Sequence, residues 1–543
     1  MTAASHPFPV TTSQAVRQAL LDRTEIALMD VREEDPFAQQ HPLWAANFPL
    51  SKLELEAWTR IPRRDTRIVV YGRHDGEDLA PRAASVLRTL GYTDVSLLDG
   101  GLEAWIDGGG EVFRDVNVPS KSFGELVEAK RHTPSLSAPE VQALIDRKAD
   151  VVIVDARRFD EYQTMSIPSA TSVPGAELVL RVRELAPDPA TQVIVNCAGR
   201  TRSIIGTQSL VNAGIPNPVA ALRNGTIGWK LAGQVLDHGA DRQAPLAVSP
   251  AHRAQAQADA RRVADLAGVR RIALDALQTL EAPGRTVYRF DVRTPEEYAA
   301  GHLPGFASAP GGQLVQETDH QVPVRGARIV LVDDDGVRAS MSASWLAQMG
   351  WEAYVPEVVP TAAAFTETAA PASAYPPVAT AVGEIAPKDL AVLLQQQTGT
   401  AVIDVTSSAN YVKRHIPGAW YAIRAQLAQA LDAVMPPAQR YVLTCGSSLL
   451  ARYAAADLRA LLDARGKGDI EVRVLAGGNA AWFAAGLEAE TGETRLATAR
   501  TDRYRRPYEG TEAPTEAMQA YLDWEYGLVA QLGRDGTHHF NVI

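Results

Sequence analysis

Cys197 follows the apolar run Val193-Ile194-Val195-Asn196 and opens Cys197-Ala198-Gly199-Arg200-Thr201-Arg202-Ser203, a short loop holding one thiol and two guanidinium groups among small residues. The chain has only one other cysteine, Cys445, which follows Tyr441-Val442-Leu443-Thr444 and precedes Gly446-Ser447-Ser448. A strand that breaks into a small-residue loop leading to a helix lets several backbone N–H groups converge on one sulfur and stabilise its anion. Arg200 and Arg202 add positive charge, so the expectation is a Cys197 pKa lowered from about 8.5 into roughly the 3.5–7.5 range, with a thiolate at neutral pH. Most free cysteines are small buried hydrophobes, but that role requires neither the following glycine nor the arginines. Cys445 has no arginine before Arg452 and so has the electrically poorer loop.

At 543 residues the chain exceeds what one hydrophobic core supports and calls for three to five domains. A net charge of −11 argues against nonspecific nucleic-acid or anionic-membrane binding, although arginine loops still attract small anions. Two cysteines far apart make no disulfide framework, and no Cys/His cluster has zinc-ligand spacing. No metal or cofactor is expected, and a reducing cytoplasm fits best. The start, Met1 to Pro7, lacks a basic segment followed by an apolar one, and no run of 18 apolar residues offers a membrane span.

The elements that must position the thiols recur four times. Apolar runs end in Asp30, Asp155, Asp291 and Asp404, and a second run ends at Gly72, Cys197, Asp333 and Cys445, which are 42, 42, 42 and 41 residues further on. Helical patterns flank these strands: one before Asp155 carries a Ser137/Glu140 capping box, and another runs from Ser203 to Ala213. Strands alternating with helices predict an α/β architecture with parallel sheets, whose ligands bind at the strand C-termini, where both cysteines fall. A later glycine and tryptophan recur as Gly100-Gly101/Trp105, Gly225/Trp229 and Gly477-Gly478/Trp482, and are missing from the third copy. Charge and proline clusters around Arg114 to Pro134, His238 to Arg261 and Pro356 to Pro387 read as connectors. After the fourth copy, Arg500 to Pro507 is basic and aromatic, and Ala513 to Leu532 predicts an amphipathic helix packed on the fourth copy or on a dimer mate.

These residues together resemble the rhodanese family of sulfurtransferases. Asp291-Val292-Arg293-Thr294-Pro295-Glu296-Glu297-Tyr298 with Gly301-His302-Leu303-Pro304-Gly305 carries the family pattern, as do Asp155-Ala156-Arg157 with Glu161-Tyr162 and Ile167-Pro168, and His415-Ile416-Pro417-Gly418-Ala419. The resemblance implies four tandem rhodanese-like domains over 1–118, 119–246, 247–372 and 373–495, with a helical tail over 496–543. Gly72 and Asp333 replace the cysteine in the first and third, which are expected to be silent. Met165-Ser166 stands where the family usually has Gly-His, read as a local loop variation. A six-residue loop from Cys197 to Arg202, preceded by Asn196 rather than histidine, disfavours the related phosphatase chemistry.

The implied reaction is covalent: the Cys197 thiolate takes the outer sulfur of an anionic donor such as thiosulfate as a persulfide and passes it to a thiol or cyanide. Ala198, Gly199, Arg200, Thr201, Arg202 and Ser203 are the expected substrate-binding residues, and Asp155 and Arg157 the structural braces. Cys445 reads as a second sulfur carrier or a vestige, its Cys-Gly-Ser opening resembling mercaptopyruvate sulfurtransferases. A different class of reading is a scaffold that docks partners or senses persulfides.

Overall fold

The computed structural model describes residues 7–74, 78–281, 284–368, 375–378, 380, 382–397, 399–434, 438–510 and 512–543. The N-terminal six residues, Asp75-Gly76-Glu77 of the first cysteine-like loop and Pro371 of the third connector lie outside the described residues.

Four five-stranded sheets follow one another along the chain, each parallel throughout. Numbered within each sheet in chain order, the strands lie first-fifth-fourth-second-third. The fourth strand is therefore central, and its C-terminal end sits in the middle of the sheet edge where ligands bind in open α/β folds. In the second domain this strand is Gln192–Asn196, four of whose five residues are buried, as expected of a parallel strand covered by helices on both faces. It pairs with Val151–Asp155 so that Asp155 lies opposite Asn196, and Cys197 is the next residue. The corresponding pairs are Asp30 with Tyr71, Asp291 with Val332 and Asp404 with Thr444. The near-constant spacing in the sequence is this register.

Two segments expected to be connectors are instead helices. Val118–Arg131 follows the first domain and is buried continuously from Val118 to Val127; Pro250–Leu266 packs on the second domain through Ala256, Ala260 and Val263. Their polar composition misleads because the polar groups are paired inside: Lys121 with Asp115, Glu125 with Arg200, and Asp259 with Arg183.

The tail also corrects its expectation. Asp502 still holds the fourth domain, accepting from the Tyr421 hydroxyl and the Ser408 amide. Beyond it, helices Thr515–Tyr526 and Leu528–Asp535 leave that domain and lie along Val118–Arg131. The last residues run between the first and third domains: Phe540 meets Trp44 and Phe123 edge-on, and Trp44 donates to the Thr537 carbonyl. The apolar face of the tail is thus buried against its own chain.

Among the described residues no helix is long and apolar enough to cross a membrane, and no group of three or more His, Cys, Asp or Glu side chains could hold a metal ion.

Candidate active site

Cys197 leaves the central strand of the second domain and is followed by the helix Thr201–Ala213. Between them the loop turns back on its own sulfur. The thiol reaches the Ser203 hydroxyl at 3.4 Å, and that hydroxyl donates to the Arg200 carbonyl at 2.8 Å. The Ser203 backbone amide also serves the sulfur. The loop carbonyls are drawn the other way: Thr226 N–H donates to Cys197 O, and Ile227 N–H and the Thr226 hydroxyl donate to Ala198 O. This explains the recurring glycine. Gly225 has a φ of 55°, and a Cβ there would lie 2.3 Å from the Cys197 carbonyl, so only glycine lets the next helix close on the loop.

Asp155 and Arg157 brace this arrangement from below. Arg157 binds both Asp155 carboxylate oxygens at 2.7–2.8 Å and the Met165 carbonyl, while the Asn196 amide donates to the same aspartate. Asp30/Arg32 and Asp291/Arg293 repeat the clasp. In the fourth domain Thr406 stands where the arginine would be, and the Asn479 side chain donates to Asp404 instead. Without a cation, burial pushes the Asp404 carboxyl up to about 6 against the opposing hydrogen bonds from Thr406 and Asn479.

The two loop arginines differ sharply. All five guanidinium N–H donors of Arg200 find protein partners: two bonds to Glu125, one to Glu128, and one each to Asn224 and the Tyr526 hydroxyl. Its plane also stacks on the Tyr526 ring. The expectation that Arg200 faces an incoming anion is not met by this geometry, because its charge is matched by two carboxylates and its donors are taken. Arg202 pairs bidentately with Glu161 at 2.8 Å and is the cation whose charge acts on the Cys197 sulfur. Burial raises the Glu161 carboxyl, but Arg202 outweighs it and brings the group down to about 2, so the pair stays ionised across the physiological range.

Cys197 is 2% exposed. Burial pushes its thiol up, opposed by Arg202 and by hydrogen bonding with the Ser203 side chain and amide. The expected depressed pKa is therefore corrected for the closed site: desolvation of the thiolate exceeds the one effective cation. The roof over the loop comes from the tail, where Tyr521 and Glu525 stand so close to Gly199 that a Cβ there would lie 3.3 and 3.5 Å from them. Sequence reasoning missed this roof, and also Glu125, Glu128 and Asn224. Glu161 was visible as part of a motif but not as the partner of Arg202.

Thr201 and Ala198 are buried parts of the loop wall. In the third domain Asp333 occupies the cysteine position, and its carboxylate accepts from the Gly336 and Ala339 amides at 2.8 Å each. Burial and neighbouring Asp335 push that carboxyl well above the usual range. Cys445 is buried at the mouth of the fourth sheet, its carbonyl held by the Asn479 amide. Leu450 and Asn410 stand where the second domain has Arg202 and Glu161, so this thiol lacks the cation that serves Cys197.

A family model described as rhodanese-like domain matches residues 13–107, 137–232, 274–358 and 386–485. The crystal structure of a thiosulfate sulfurtransferase from Pseudomonas aeruginosa is similar, with 64% identity, coverage of 98% of this chain and 100% of that chain, and a TM-score of 0.94. The Alr3790 protein from Anabaena sp. is similar at 26% identity over 20% of this chain and 93% of its own, with a TM-score of 0.19. An HTH-type transcriptional regulator from Mycobacterium tuberculosis, Rv0324, is 31% identical over 109 residues, 20% of this chain; the match spans about half of that regulator, 47%.

Proposed function

The chain belongs to the rhodanese family and is a sulfurtransferase, and from that premise we propose that it moves the outer sulfur of thiosulfate to a thiol or cyanide through a persulfide on Cys197. The observation that carries this reading is the Cys197–Ser203 loop: one buried sulfur hydrogen-bonded with the Ser203 hydroxyl and served by the Ser203 amide, with the charge of Arg202 beside it. The thiosulfate sulfurtransferase that the chain resembles supports the donor.

In the first half-reaction the thiol proton leaves to solvent and the thiolate attacks the outer sulfur. The S–S bond of thiosulfate breaks, sulfite departs with its electron pair, and Cys197 keeps the sulfur as a persulfide. Ser203 and Arg202 stabilise the anionic sulfur before and after transfer. The Ser203 hydroxyl needs only to rotate its proton from the Arg200 carbonyl to the sulfur. We assign Arg200 to holding the loop and its roof in place, and Asp155 and Arg157 to bracing the strand end. In the second half-reaction an acceptor removes the sulfur and restores the thiol.

The other domains support this centre. Arg338 of the third domain binds Glu177 of the second at 2.9 Å, and Trp345 donates to Ser209. Two free thiols suit a reducing, cytoplasmic setting. Steady-state release of sulfite from thiosulfate, with cyanide as acceptor, tests the assignment: the wild type turns over and Cys197→Ser does not.

A further inference from the structure

The two cysteine loops differ in what covers them. Cys197 and Cys445 are themselves nearly inaccessible, at 2% and 4% exposed. At the next two positions Ala198 and Gly199 are buried, whereas Gly446 and Ser447 are exposed. A Cβ on Gly446 would meet nothing within 4 Å. At Gly199 the three nearest heavy atoms all belong to the tail helix Thr515–Tyr526, two of them from Tyr521 and one from Glu525. The tail leaves the fourth domain, whose loop stays open, and closes the loop of the second.

The helix is fixed there from several sides. Met518, Tyr521 and Leu522 pack on Ile227, whose amide holds the Ala198 carbonyl. Lys121, buried and paired with Asp115 at 2.8 Å, faces the rings of Tyr508, Tyr521 and Trp524 at 5.2–5.6 Å, a contact that is strongest when desolvated. The Tyr526 hydroxyl accepts from Arg200 at 3.0 Å. Between the helix and Gly199 the fit is one of shape: the Glu525 Oε2 beside it is buried with no hydrogen-bond partner among the described residues. A Cβ on Gly199 would lie 3.3 Å from the Tyr521 ring, so the glycine lets the helix lie this close.

We propose that the tail helix is a size filter on the Cys197 centre and that Tyr521 sets its limit: sulfur donors with a compact leaving group reach Cys197, and donors with a bulky one do not. The filter rests on the reading of Cys197 as the persulfide carrier. Thiosulfate and p-toluenethiosulfonate present the same reacting bond. In each, the outer sulfur passes to the Cys197 thiolate and the S–S bond breaks, its electron pair leaving on sulfite or on the arenesulfinate. The donors differ in the bulk behind that bond.

The test measures, on the full chain, the rate of sulfur gain at Cys197 from each donor by peptide mass, expressed as the ratio of aryl donor to thiosulfate. A ratio within one protein cancels changes in thiolate fraction. Tyr521→Ala should raise it at least tenfold. Tyr521→Phe keeps the ring, loses only the hydroxyl bond to Glu525, and should stay within twofold of the wild type. Tyr526→Ala, at a side chain 50% exposed, frees the helix end without removing core volume and should raise the ratio at least threefold, so the filter stays testable if Tyr521→Ala fails to fold. Alkylation gives a reading independent of sulfur chemistry: fluorescein-5-maleimide relative to iodoacetamide should be at least tenfold less effective at Cys197 than at Cys445, and Tyr521→Ala should remove that difference. Unchanged ratios in the folded alanine variants, or a rise in Tyr521→Phe as large as in Tyr521→Ala, overturn the filter. Sulfur uptake with unfiltered alkylation overturns the filter alone, whereas filtered alkylation without uptake from either donor overturns the persulfide reading and, with it, the selection of donors.

Discussion

The Ala339 amide donates to the carboxylate of Asp333 at 2.8 Å, six residues back along the chain, as the Ser203 amide serves Cys197 in the second domain. The loop is built to hold an anion at this point whichever side chain supplies it. What the third domain lacks is sulfur, and its loop has adapted around a carboxylate that burial and Asp335 keep poorly ionised.

Asp333→Cys, made in a protein with Cys197→Ser and Cys445→Ser, is therefore expected to give no fast transferase. Asp334 and Asp335 stay in the loop and compete for Arg338, which is already bound to both and to Glu297 and Glu177. Sulfite release at rates near wild type would show that the cysteine was all the third domain lacked.

Arg202→Gln should raise the Cys197 pKa further, because it removes the cation that opposes burial. The pH profile of alkylation at Cys197 reads this directly, with its inflection moving upward. The kcat/KM for thiosulfate should fall roughly 10–100-fold, since a hydrogen bond or ion pair to a charged group contributes about 1.5–3 kcal/mol. An unmoved alkylation profile would remove Arg202 from the sulfur's electrostatics.

Arg200→Ala acts differently. It leaves Glu125 buried without its partner, a change that costs on the order of 3–5 kcal/mol, and it releases Tyr526 of the tail. Thermal unfolding should show a clear loss of stability, and proteolysis should cut the tail sooner. Arg200→Lys should not restore the wild-type behaviour, because lysine has no fork of donors. A fully stable Arg200→Ala protein with a raised KM for thiosulfate alone would make Arg200 an anion ligand after all.

Glu525 makes the roof sensitive to pH. Burial and then Glu125 push its carboxyl up to about 8, against Lys121, Tyr521 and Arg200. A carboxyl whose folded value exceeds its unfolded value of about 4.5 is neutral in the fold while the unfolded chain has already lost its proton. Stability from this group therefore falls as pH rises from about 4.5 to 8 and is flat above. Glu525→Gln lacks that loss, so its Tm should gain on the wild type over this window, reaching a difference of at least about 2 °C by pH 9. A constant difference between pH 5 and pH 9 would contradict the buried, protonated carboxyl.

The four sheets and the placement of both thiols were legible because parallel strands write themselves as short apolar runs, and Asp155 opposite Asn196 turns register into a fixed spacing. The helix Val118–Arg131 was not, since Ser120, Lys121 and Glu125 read as surface residues until Gln316, Asp115 and Arg200 are seen to satisfy them. The charge of Arg200 was visible, but its cancellation by Glu125 and Glu128 was not, as those residues lie some seventy positions earlier. The roof was least accessible of all: Tyr521 and Glu525 meet Gly199 across more than three hundred residues, through packing that no local pattern encodes.

Whether Cys197 carries the sulfur is read from the mass of the protein after thiosulfate treatment and removal of excess donor, followed by peptide mapping under non-reducing conditions. One added sulfur atom is expected, found on the peptide containing Cys197, absent from Cys197→Ser and retained in Cys445→Ser. Sulfur located on the Cys445 peptide, or an unchanged mass in a protein that still turns over thiosulfate, would contradict it.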